Sequence, residues 1–101
     1  MLNNKIKQVL EKRASLHIED DFQIEECRNR LIELLSINEI DTINFLDICN
    51  REEVLWISEV FEEVAYNLQS TKYIECLKKL DNKFTDLNLT NFVKFAKDYM
   101  E

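Results

Sequence analysis

No residue of this chain is a glycine or a proline, and that absence limits the folds open to it more than any motif does. Average usage would place about a dozen such residues in a chain of this length. Without glycine, the phosphate-cradling loops of the GxGxxG and GxxxxGK[ST] kinds cannot be built. Type I′ and II′ hairpin turns also lose their usual residue, which argues against an all-β meander. The glycine that turns a calcium loop is missing as well. Hydrophobic residues make up 46% of the 101 positions, so the composition is not that of a disordered chain. What remains is an all-α protein with a single domain over residues 1–101. A chain of this size buries roughly 65% of its unfolded surface, enough for one core.

Apolar periodicity divides the sequence into about five to six antiparallel helices joined by short connections. The first runs from about Leu2 to Leu16, with Leu2, Ile6, Val9, Leu10 and Arg13 along one stripe. Asp20 or Asp21 offers the cap of the second, which carries Phe22, Ile24, Cys27, Leu31, Leu34 and Leu35. The third spans about Glu39 to Cys49, with Ile40, Ile43, Phe45 and Leu46 inward. Asn50, with Glu53 three residues on, starts a fourth helix that is expected to run unbroken to Leu68 or Gln69. Ser70 or Thr71 caps the fifth, holding Tyr73, Ile74, Leu77, Leu80 and Phe84. Asn88 or Thr90 caps the last, holding Phe92, Val93, Ala96, Tyr99 and Met100. A faint echo at a period of about 31 residues sets helix pair 39–69 beside pair 71–101. The arrangement is thus a compact bundle or a short solenoid-like (HEAT-like) stack.

The net charge of −7 is unevenly distributed. Residues 1–18 carry four cations against one acid, whereas residues 19–69 carry fourteen acids against Arg28, Arg30 and Arg51. Residues 70–101 are nearly balanced. A field of that sign repels nucleic acid and membrane phosphate and steers a basic partner toward the middle of the chain. The longest apolar run, Val54 to Ile57, is far short of the ~20 residues that span a bilayer. No apolar stretch of signal-peptide length opens the sequence, so a cytoplasmic location is expected.

Nothing in the sequence assembles catalytic chemistry, and no enzyme activity is expected. His17 is the only histidine, too few for a zinc or di-iron motif. Cys27, Cys49 and Cys76 are odd in number and lack CxxC spacing, so they read as buried thiols. No cofactor or metal is implied.

The fourth helix carries the sharper signal. At 100° per residue, Val54, Ile57, Phe61, Val64, Ala65 and Leu68 gather on one face and Glu52, Glu59 and Glu63 on the other. Trp56 and Tyr66 fall within about 40° of the acidic line. Aromatic rings among carboxylates are the pattern of an interface for a basic partner, with the rings as anchors. The plainer reading is that Trp56 packs beneath a neighbouring helix. Asp20, Asp21, Glu25 and Glu26 form a second acidic group at the start of helix 2. There they oppose the helix dipole and can also act as outlying steering charges.

The run Glu52-Glu53-Val54-Leu55-Trp56-Ile57-Ser58-Glu59-Val60-Phe61-Glu62-Glu63 is the most distinctive stretch. Ser70, Tyr73-Ile74-Glu75-Cys76-Leu77-Lys78-Lys79-Leu80, Asp86-Leu87-Asn88-Leu89 and Phe95-Ala96-Lys97-Asp98-Tyr99 follow it. Together, over about residues 20–101, these resemble the small, acidic, all-helical immunity proteins encoded beside bacterial polymorphic toxins, including those of contact-dependent growth inhibition systems. The resemblance implies a cytoplasmic protein that binds and blocks one cognate toxin domain. Such toxins are often basic nucleases. No residue assignment comes with it. The partner-binding residues expected from the charge pattern are Glu52, Trp56, Glu59, Glu63 and Tyr66, with Asp20, Asp21, Glu25 and Glu26. Direct binding of nucleic acid or membrane is not expected. An acidic DNA mimic or regulatory adaptor that occupies a nucleic-acid-binding protein is the alternative, and a homo-oligomer with Trp56 in a self-interface is a third.

Overall fold

The computed structural model describes residues 2–100, and every regular element among them is helical. In chain order these are α1 (Leu2–Ser15), α2 (Asp21–Leu35), α3 (Glu39–Ile48), α4 (Arg51–Ile57) and α5 (Phe61–Leu68). They are followed by α6 (Thr71–Lys83) and α7 (Thr90–Asp98), with 3-10 turns at Ser58–Val60 and Thr85–Leu87. The side chain of Leu2, expected on the inward stripe of α1, lies outside the described residues.

Side-chain caps begin three of the helices. Asn38 accepts from the Asp41 N–H, and Ser70 accepts from the Tyr73 N–H. Asn50 and Glu53 complete a reciprocal capping box, with Asn50 Oδ1 accepting from Glu53 N at 2.9 Å and Glu53 Oε1 from Asn50 N at 3.0 Å. Two starts differ from expectation. The Asp20 carboxylate turns back to accept from the His17 N–H instead of capping α2. Leu89, not Asn88 or Thr90, holds the cap position of α7, and the Thr90 hydroxyl donates to Asp81.

Two connections need a left-handed residue, the conformation that usually falls to glycine. With no glycine in the chain, Gln69 (φ 46°) and Asn88 (φ 54°) take these positions. Asn tolerates the conformation, whereas a longer side chain pays about 1–2 kcal/mol for it.

The expected fourth helix is broken. After Ile57 the chain tightens into the 3-10 turn, and Val60 leaves helical geometry at φ −122°, ψ 12°. The Ser58 hydroxyl donates to the Leu55 carbonyl at 2.6 Å, a local bond that competes with the helical ladder. Three residues at 120° instead of 100° add about 60° of rotation between the two halves. Ile57, Val60, Phe61 and Val64 all reach the core as a result.

The core gathers Ile6 and Leu10 of α1, Leu31, Leu34 and Leu35 of α2, and Phe45 and Leu46 of α3. It continues through α4–α5 to Tyr73, Leu77 and Leu80 of α6 and to Leu89, Val93 and Ala96 around α7. The buried Tyr73 hydroxyl donates to the Phe61 carbonyl at 3.1 Å, and the Thr42 hydroxyl to the Leu35 carbonyl at 2.6 Å. α3 packs on α6, and α5 on α7. This is the pairing that two stacked helix pairs produce, first helix on first and second on second. The radius of gyration is 12.6 Å, close to the ~13 Å of a 100-residue globular domain. The stack therefore closes into a globule.

Several residues expected inside are not there. Ile40 is 61% exposed and Phe22 is 76% exposed, while Phe92 and Tyr99 stand on the flank of α7. Thr42 takes the inward position on α3 that Ile40 leaves, held by its bond to Leu35. No helix among the described residues is long and apolar enough to cross a membrane.

Candidate interaction surface

The structure separates the residues that the charge pattern had grouped. Trp56 and Glu59 face the first two helices. Arg13, buried near the end of α1, donates through Nε to Glu59 Oε1 at 2.9 Å and through Nη2 to Oε2 at 2.7 Å. Arg28 of α2 adds a third bond to Glu59 Oε2 at 3.1 Å and approaches Glu25 at 3.8 Å. The Arg13 guanidinium carbon lies 4.5 Å from the centroid of the half-buried Trp56 ring. One aromatic ring, one carboxylate and two guanidinium groups thus tie α1 and α2 to the α4–α5 junction.

Burial pushes the Glu59 carboxyl up, but hydrogen bonds from Arg13 and Arg28 outweigh it and hold the group below its ordinary value. The bond to Glu59 correspondingly raises Arg28. Glu59 is therefore ionised and already neutralised within the chain. It does not present an open charge, as the helix wheel had implied.

Glu52 is exposed beside the edge of Trp56, in a shallow groove of about 280 Å³ shared with Lys7, Glu11, Asn50 and Glu53. Asp20, Asp21, Glu25 and Glu26 are all exposed at the start of α2, next to the protruding Ile18 and Phe22. Glu26 also lines a groove with Lys12 and Arg30, which offset its charge.

Glu63 and Tyr66 stand apart from these. They line an open groove of about 450 Å³ together with Ile32, Glu62, Asn67 and Tyr99. Two carboxylates and two tyrosines face it, and no cation is among its lining residues. Tyr66 is 56% exposed and Tyr99 49% exposed. The backbone at both tyrosines is tied by one side chain. Gln69 Nε2 donates to the Tyr66 carbonyl at 2.9 Å and to the Tyr99 carbonyl at 3.1 Å. On the far wall, Asn67 donates to the Ser36 hydroxyl at 3.0 Å, tying α5 to the end of α2. Phe92, Phe95 and Tyr99 recur at i, i+3 and i+7, so they form one exposed aromatic stripe on α7. Lys94 and Lys97 lie on another flank of that helix.

Charge reasoning missed Glu62, Tyr99 and Ile32. The aromatic spacing on α7 was visible in the sequence, but it reads equally as core. Only the packing shows that Val93, Ala96 and the flanking Leu89 suffice to bury that helix.

No group of three or more metal-ligating side chains converges among the described residues. His17 is exposed. The three thiols are free and buried. Burial pushes Cys49 and Cys76 up to about 12, with neighbouring acids, Glu53 for the first and Asp47 for the second, adding to the effect. Such thiols are not nucleophiles at neutral pH.

Comparison with known proteins returns no matching family model, curated protein or solved structure.

Proposed function

We propose that this chain is an immunity-type inhibitor, a cytoplasmic protein that binds a basic toxin domain and occludes its working surface. The observation that carries the reading is the α5–α7 groove, which two exposed tyrosines, the exposed Glu63 and the half-buried Glu62 line with no cation among them. Exposed aromatics set in negative charge give a basic protein surface both buried area and steering. The acids at the start of α2 extend the same sign of field beyond the groove.

In this reading Glu62, Glu63, Tyr66 and Tyr99 make contact, and Asp20, Asp21, Glu25 and Glu26 speed the encounter. Trp56 and Glu59 support the scaffold, and Glu52 sits at its margin. The protein acts by occupancy and performs no chemistry of its own. The test is co-expression with the toxin domain encoded beside it, scored by growth and by co-purification of the pair. Restored growth with a stoichiometric complex is the expected result. Continued toxicity with both proteins soluble would remove the reading.

A further inference from the structure

We infer that the groove between Tyr66 and Tyr99 receives an arginine side chain of the partner, with the guanidinium against the tyrosine rings and its charge on Glu62 and Glu63. This deepens the proposed function and rests on its premise that the partner is a basic protein.

The chain contains its own worked example of this chemistry. Trp56 and Glu59, three residues apart, hold the guanidinium of Arg13, with the ring on its face and the carboxylate on its edge. Glu63 and Tyr66 have the same separation in the reverse order within α5, and Glu62 stands four residues before Tyr66. Residues three and four apart in a helix lie on neighbouring turns, so ring and carboxylate converge on one spot. At the first site a cation from α1 fills the spot. At the second, Tyr99 supplies another ring and no lining residue supplies a cation. Charge complementarity therefore selects a cationic occupant. The Arg28 guanidinium is in electrostatic reach of Glu63, and it is engaged by Glu59 and Glu25.

The backbone that carries the two rings is also tied before any partner arrives. Gln69 keeps a left-handed backbone that a non-glycine residue adopts only under compulsion, and its amide bonds the carbonyls of both tyrosines. That clamp fixes the backbone of α5 relative to the end of α7. It leaves less entropy to lose on binding.

Arginine fits the groove better than lysine. A guanidinium is planar, stacks on aromatic faces and is weakly hydrated, so an open groove can hold it without full desolvation. An ammonium is compact and strongly hydrated, and keeps its water at such a site.

The test uses the full chain and follows tyrosine ring signals by NMR during titration with N-acetyl-arginine methylamide. The lysine analogue and the uncharged citrulline analogue serve as controls. Arginine should move the Tyr66 and Tyr99 rings saturably, with apparent affinity about 2- to 5-fold above lysine, and citrulline should have no effect. Tyr66→Ala should abolish the Tyr99 shift, and Glu62→Gln with Glu63→Gln should weaken it, with circular dichroism unchanged in each. Equal responses to arginine and lysine, or still ring signals, would overturn the slot. The two readings fail separately. Arginine binding without growth rescue leaves the slot and removes the inhibitor. Full rescue by Tyr66→Ala with no arginine selectivity removes the slot and leaves the inhibitor.

Discussion

Arg13 caps the face of Trp56 at 4.5 Å and grips Glu59 with two parallel hydrogen bonds, although 46 residues separate it from that carboxylate. The contact joins the basic first helix to the acidic middle of the chain. Its location, low in exposure and close to Ile6 and Leu10 in the core, makes it a feature of stability. Bidentate geometry and partial desolvation give such a pair more weight than a surface ion pair.

Arg13→Ala should therefore destabilise the protein by about 2 kcal/mol, because Glu59 keeps only Arg28 and Trp56 loses its cover. Trp56→Ala should cost about as much through lost packing. Glu63→Gln, on the open groove, should stay within about 0.5 kcal/mol of the parent. Urea unfolding of the three variants checks the ranking. An Arg13→Ala midpoint equal to that of the parent would remove the bracket from the stability account.

Glu59 also sets an acid limit. Its folded carboxyl lies below the ordinary value of roughly 4.3, so the unfolded chain takes up the proton first. The stability it contributes is present above that ordinary value and is lost as pH falls through the lower folded value. Unfolding free energy should thus decline as pH falls below the ordinary carboxyl value, and the decline should be shallower in Glu59→Gln. Denaturation curves at matched ionic strength across that range measure the difference. Parallel pH profiles for the two proteins would contradict it.

The thiols carry the opposite sign. Cys49 and Cys76 are protonated in the fold up to about 12, by burial first and nearby acids second. Ordinary thiols ionise near 8.5, so above that value the unfolded state releases protons that the folded state keeps. Stability contributed by these groups is full below about 8.5 and declines as pH rises toward 12. At pH 8 both cysteines should alkylate about 1,000-fold more slowly than a free thiol, and at the free rate once urea unfolds the chain. Mass spectrometry after iodoacetamide treatment reads this directly. Rapid labelling of Cys49 or Cys76 in the native protein would show them ionised or accessible.

Helix starts were legible at Asn50 and Ser70, local signals that each accept from a backbone N–H three residues on, whereas the Asn38 cap of α3 went unread. The break at Ser58–Val60 was not legible. Ile57, Phe61, Val64 and Ala65 give the same apolar rhythm whether the helix runs through or is overwound, and only packing chooses. That choice separated Trp56 from Tyr66. The binding face suffered most, since its decisive pairs are non-local. Arg13 was readable as an inward residue, but nothing near it in sequence points to Glu59. Tyr66 was readable as an exposed ring, but its companion Tyr99 is brought to it by the packing of α5 on α7.

Gln69 offers the sharpest separation of stability from recognition. Gln69→Gly relieves a left-handed backbone strain of about 1 kcal/mol and gives up, among its contacts, the partly exposed amide bonds to the Tyr66 and Tyr99 carbonyls, worth roughly that much each. The two effects oppose each other, so unfolding free energy should change by no more than about 1 kcal/mol. The tyrosine carbonyls, however, lose the amide that joins them. The Tyr66 and Tyr99 rings should then respond more weakly to arginine while the melting midpoint shifts by no more than about 8 °C. Asn88→Gly, which relieves the same backbone conformation at the end of the 3-10 turn before α7 and is not among the groove's lining residues, is the matched control. It should leave arginine binding at the parent level. If Gln69→Gly binds arginine as tightly as Asn88→Gly, the clamp positions nothing, and the rings are held by helix packing alone.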